Sequence, residues 1–88
     1  MNAQTPDVAY TNKLDATNTI TMMENNLKEK PSLQKEKGCY KFYCTDLSAS
    51  QIEFLGQIQK KPIVKDLFVK RSGTFIAVFI VFHPSAIA

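Results

Sequence analysis

Polar and apolar positions are unevenly distributed along the chain. Residues 1–37 are rich in Asn, Thr and Lys, whereas residues 38–88 carry nearly all the aromatics. The densest apolar stretch is FIAVFIVF, residues 75–82, bounded by Gly73 upstream and His83-Pro84 downstream. A short apolar run rich in Val, Ile and Phe predicts a buried strand, because β-branched side chains are stiff at χ1 and pack well on a pleated surface. Together with residues 62–71 it predicts a hairpin. A two-residue Ser72-Gly73 turn pairs Arg71 with Thr74, Val69 with Ile76, Leu67 with Val78 and Ile63 with Phe82. Alternation then collects Ile63, Leu67, Val69, Ile76, Val78, Ile80 and Phe82 on a core face. The other face collects Val64, Asp66, Phe68, Lys70, Phe75, Ala77, Phe79 and Val81. Three Phe among charges make this second face neither a clean core nor a clean solvent surface. It calls for a cover, from elsewhere in the chain or a second copy, or for a partner.

Upstream, CYKFYCTDL (residues 39–47) alternates as a strand, with Tyr40, Phe42 and Cys44 toward the core and Lys41, Tyr43 and Thr45 toward the open side. Ser48 and Gln51, and Ser50 and Glu53, stand at overlapping capping-box spacings and open a helix over about 48–61. Its stripe is Ile52, Leu55 and Ile58 with Phe54 at the shoulder, and Pro62 ends it. Gly56 inside it is compatible with close packing on the sheet. A shorter helix is expected over about 18–30, from Thr21/Glu24 and from Ile20, Met23 and Leu27, and is the best internal candidate to cover the aromatic face. Residues 1–17 read as a flexible arm. The expected architecture is α+β: a 38–88 β-α-β-β domain, three strands and one packed helix, behind a polar 1–37 arm. The 75–82 strand is expected at its centre.

Net charge is +3 and the isoelectric point is near 9.0, which permits nucleic acid or an acidic partner without demanding either. The beginning of the chain lacks the apolar core of a secretory signal, and the run near residues 74–88 is shorter than a bilayer span and broken by His83-Pro84, so an intracellular protein without membrane insertion is expected. Cys39 and Cys44 point to opposite faces of one strand and match no common zinc spacing; with them, no metal or cofactor site is expected. His83 stands alone past the last strand. Asp46, Glu53 and Asp66 are scattered, and Gly38, Gly56 and Gly73 form no phosphate-cradling loop. The expectation is a protein that binds rather than catalyses.

Lys60, Lys61, Lys65, Lys70 and Arg71 surround the hairpin, and Lys41 lies on the first predicted strand. With Tyr43, Phe68, Phe75 and Phe79 these give a basic, aromatic sheet surface of the kind that stacks bases and meets phosphates. Phe42-Tyr43-Cys44-Thr45-Asp46-Leu47 resembles the first-strand sequence of the RNA-recognition motif, and Phe79-Ile80-Val81-Phe82 the end of its third-strand sequence. That resemblance implies base-stacking roles for Tyr43 and Phe79. The chain departs from the family at Phe75-Ile76-Ala77, where a basic residue, Gly and an aromatic are usual, and has no counterpart of its second helix and fourth strand. The leading expectation is therefore a small accessory or inhibitory protein, including the viral or phage kind, acting through protein–protein contacts. Its candidate binding residues are Lys41, Tyr43, Phe68, Lys70, Arg71, Phe75 and Phe79, or the N-terminal helix. A single-stranded RNA- or DNA-binding module is the alternative.

Overall fold

The structure is a computed structural model that describes residues 4–34 and 38–84, with side chains from residue 12 onward. It is α+β: two helices and a four-stranded antiparallel sheet. The elements run α1 (Gln4–Leu27), β1 (Ser32–Leu33), β2 (Cys39–Cys44), α2 (Ala49–Gln59), β3 (Val64–Ser72) and β4 (Phe75–Phe82). Sheet order is β1-β2-β4-β3, so the most hydrophobic strand lies inside the sheet, as its composition predicts. β2 and β3 are parallel to each other with β4 between them, and α2 makes the crossover.

The expected three strands become four, and both expected helices, not one alone, pack on the sheet. The helix expected over about 18–30 begins at Gln4 and takes in residues read as a flexible arm. Pro6 does not prevent this, because in a helix's first turn its missing N–H is no loss. Thr21 does not cap: its hydroxyl donates to the Thr17 carbonyl, 3.2 Å away, inside the helix. The helix stops at Leu27 because Lys28 turns left-handed (φ 59°), short of the predicted end at Lys30. Ile20, Met23 and Leu27 do form the inward stripe, extended backward by Ala16 and Thr19. Thr19 is fully buried, its hydroxyl donating to the Asp15 carbonyl at 2.7 Å. A buried hydroxyl satisfied in this way carries little desolvation penalty. The strand β1 pairs Ser32 with Lys41 and Leu33 with Tyr40. Residues 35–37 of the charged segment, and the chain beyond Pro84, lie outside the described residues.

In α2, Ser48 is the N-cap: its hydroxyl accepts from the Gln51 N–H (3.2 Å) and the Gln51 side chain accepts from the Ser48 N–H (2.7 Å). Of the two overlapping boxes, this one forms. Leu55 and Ile58 are buried, but Ile52 is 58% exposed. Gln51 takes the inward place, donating from Nε2 to the Asn26 carbonyl of α1 at 3.1 Å. At the other end of α2, Lys61 meets Asp15 of α1 at 3.1 Å. The two helices therefore lie antiparallel, side by side. Gly56 is not a close-packing position, since a Cβ there would meet nothing within 4 Å.

The hairpin turn is Gly73-Thr74, with Ser72 opposite Phe75, and not Ser72-Gly73. Gly73 has φ +64° and Thr74 is not in the left-handed region. A tight turn with positive φ at its first central position alone is the II′ pattern, and it puts glycine first. Both strands move by one residue, so Arg71 faces Ile76, Val69 faces Val78 and Leu67 faces Ile80, while the division into two faces survives. One position changes side. A bulge at Lys65 brings Val64 opposite Phe82 and into the core.

The core lies between the sheet and both helices. Phe42, Cys44, Val78, Ile80, Phe82, Ile63, Val64 and Leu67 meet Leu55 and Ile58 of α2 and Ala16, Met23 and Leu27 of α1. Tyr40 packs against this cluster and meets Phe82 edge-on, ring centroids 6.0 Å apart. Both helices thus occupy the same face, and α1 does not cover the aromatic side. Among the described residues no helix is long and apolar enough to cross a membrane.

Candidate binding face

Strand register fixes the side chains that leave the sheet opposite the helices. Across β2, β4 and β3 the rows are Cys39-Val81-Asp66, Lys41-Phe79-Phe68 and Tyr43-Ala77-Lys70, followed by Phe75 beside Ser72. Six of the seven predicted binding residues, Lys41, Tyr43, Phe68, Lys70, Phe75 and Phe79, lie on this face. Arg71 does not: opposite Ile76, it shares the helix-side parity of Leu67 and Val69 and is exposed near the hairpin tip.

The middle row is closely organised. Phe68 and Phe79 stack with centroids 4.9 Å apart and planes 12° from parallel. That separation is close to the spacing between neighbouring strands, so the rings stack across the strands and present mainly their edges outward. Lys41 Nζ lies 5.4 Å from the Phe79 ring centroid and 4.9 Å from that of Tyr43. Lys70 Nζ lies 5.7 Å from the Phe68 centroid. Tyr43 meets Phe75 edge-on at 6.2 Å. Cation, ring and ring thus hold one another in place, each contact contributing about 0.5–1.5 kcal/mol where it is partly shielded from water. Ala77 is buried beneath its larger neighbours at 2% exposure, whereas Tyr43 and Phe75 are 40% and 45% exposed.

The face is less cationic than the sequence pattern predicts. Among the described residues Lys41 and Lys70 are the cations on it, and Asp66 shares it. Lys61 is engaged with Asp15, Lys60 is exposed at the end of α2, which its backbone N–H caps, and Lys65 sits in the exposed bulge. A second surface escaped the sequence pattern. Between α2 and β3 runs a groove of about 430 Å³, lined by Leu47, Ile52, Leu55, Gln59 and Val69 among others. Its signal was Ile52 itself, one residue step, about 100°, round the helix from the inward Gln51.

The candidate chemical groups are dispersed. Cys39 and Cys44 leave opposite faces of β2, and burial, with a smaller contribution from the Glu29 charge, raises the Cys44 thiol pKa above its ordinary value. His83 is exposed, its backbone N–H donating to the Ile63 carbonyl at 2.9 Å. Among the described residues no three His, Cys, Asp or Glu side chains gather in a metal-binding group.

No family model, curated protein or solved structure matches the chain. The likeness to the RNA-recognition motif rests on the residues alone. Its two assigned positions, Tyr43 and Phe79, do lie on the same face of neighbouring strands.

Proposed function

We propose that this is a non-enzymatic binding protein whose aromatic sheet face docks on a protein partner. The observation that carries the reading is the Lys41–Phe79–Phe68 row, with Lys70 of the next row over Phe68, on a face that neither described helix covers. Phe68 and Phe79 turn one ring face to each other, and Lys41 and Lys70 lie over the rings. Base stacking needs an accessible ring face, and these two rings offer edges. Packed ring edges and Val81, flanked by Tyr43 and Phe75, make a ridged apolar strip with a polar rim of Lys41, Lys70 and Asp66. Protein interfaces favour aromatic centres of this kind within charged margins.

The competing reading, single-stranded RNA or DNA, draws on Tyr43 and Phe75, whose rings are more exposed. A titration with mixed-sequence single-stranded RNA at low and physiological salt separates the two. The expected result is no saturable binding at either salt. Salt-sensitive binding that disappears in a folded Tyr43→Ala, Phe79→Ala variant would make the face a nucleic-acid platform.

A further inference from the structure

Among the described residues no strand pairs with the outer edge of β3. β3 is an edge strand of nine residues. The Leu67 N–H donates to its neighbour Asp66 Oδ1 at 2.9 Å, and the Leu67 carbonyl accepts from Gln59 Nε2 at 3.4 Å. Both groups therefore point away from β4. By strand alternation the N–H and carbonyl of Val69 point the same way. Beside them, on the helix side, Val69 is 47% exposed and Ile52 58% exposed along the apolar groove. An exposed edge with apolar side chains is a template for strand addition.

The charges on this edge select the partner. Asp66 and Lys70 stand two residues either side of Phe68, all three on the aromatic face. We infer that two chains associate through antiparallel β3 strands about a twofold axis at Phe68. Asp66 of each copy then faces Lys70 of the other. Leu67 of each copy faces Val69 of the other, in the closely bonded pairs that their outward N–H and carbonyl groups require. Phe68 meets its own symmetry mate in the non-hydrogen-bonded position, where side chains come nearest. Opposite charges related in this way make one segment complementary to itself, as a twofold interface demands.

Pairing displaces Asp66 from the Leu67 N–H and Gln59 from the Leu67 carbonyl, and the partner's Val69 backbone replaces both. The bulge at Lys65 ends the paired stretch at Asp66. The product is one eight-stranded sheet in which the Phe79-Phe68 row runs on into its mate and Val69 and Ile52 are covered from the partner's side. This association holds whatever the aromatic face binds.

Sedimentation of the full chain from micromolar to near-millimolar concentration tests it. The expected result is a monomer–dimer equilibrium. Asp66→Lys or Lys70→Asp alone should weaken it about tenfold or more, since symmetry turns each reversal into two like-charge contacts. The Asp66→Lys, Lys70→Asp double variant should recover the dimer. Phe68→Cys gives a second readout: under mild oxidation it should form a disulfide-linked dimer that Arg71→Cys does not. A chain that stays monomeric, a dimer indifferent to the single reversals, a double variant no better than the singles, or equal linking at positions 68 and 71 would each overturn the proposal.

Discussion

Phe68 and Phe79, on neighbouring strands, stack with ring planes 12° apart and centroids 4.9 Å apart. Neither ring is fully buried, so their mutual contact replaces contact with water on one face of each. A double-mutant cycle of Phe68→Ala and Phe79→Ala should show a coupling of about 0.5–1.5 kcal/mol by urea unfolding. Simple additivity would mean that the rings act as separate surface groups.

The two described glycines outside the loop before β2 should respond in opposite senses. Gly56 is mid-helix with open space where a Cβ would go, so Gly56→Ala should stabilise by about 0.5–1 kcal/mol. Gly73 sits at φ +64°, and Gly73→Ala should destabilise by about 1 kcal/mol or more. Urea midpoints of the two variants check both signs.

α1 should prove integral to the fold. Met23 is fully buried against the sheet core, so Met23→Ala should cost about 2–5 kcal/mol, the range for emptying a packed site. Loss of less than about 0.5 kcal/mol, the scale of an ordinary surface substitution, would mean that the helix is only loosely attached.

Cys44 should resist alkylation in the native state at mildly alkaline pH and react on unfolding, because burial holds its thiol protonated. The folded pKa lies above the unfolded one, so the stabilisation is complete below the unfolded value. It declines as pH rises through the interval between the two. Thermal midpoints should fall across that alkaline interval, and less so in Cys44→Ala.

Much of the fold was readable where pattern and burial agree. Strand alternation at Tyr40, Phe42 and Cys44, the capping box at Ser48 and Gln51, and the apolar run of β4 each point to one structure. The reading failed where polar residues do structural work through specific hydrogen bonds. Thr19 looks like a surface residue but fills the core with its hydroxyl tied to Asp15. Gln51 caps α2 and joins α1, displacing Ile52 from the stripe. Face membership survived the wrong turn because moving a two-residue loop by one position shifts both strands together. The Lys65 bulge has no such protection, and Val64 changed sides. Arg71 was grouped with the binding face by charge and proximity, but its register puts it on the other side.

Docking of a protein on the aromatic face, as proposed, has a direct test. A photo-crosslinking residue at Tyr43, two strands from the β3 edge, with a control at exposed Glu53 on α2, tests it most directly in cells of the source organism. Adducts should form at position 43 that resist nuclease, yield to protease, and vanish when Lys41→Glu and Phe79→Asp are added to a chain shown to be folded. Nuclease-sensitive adducts, or equal yields at positions 43 and 53, would contradict it.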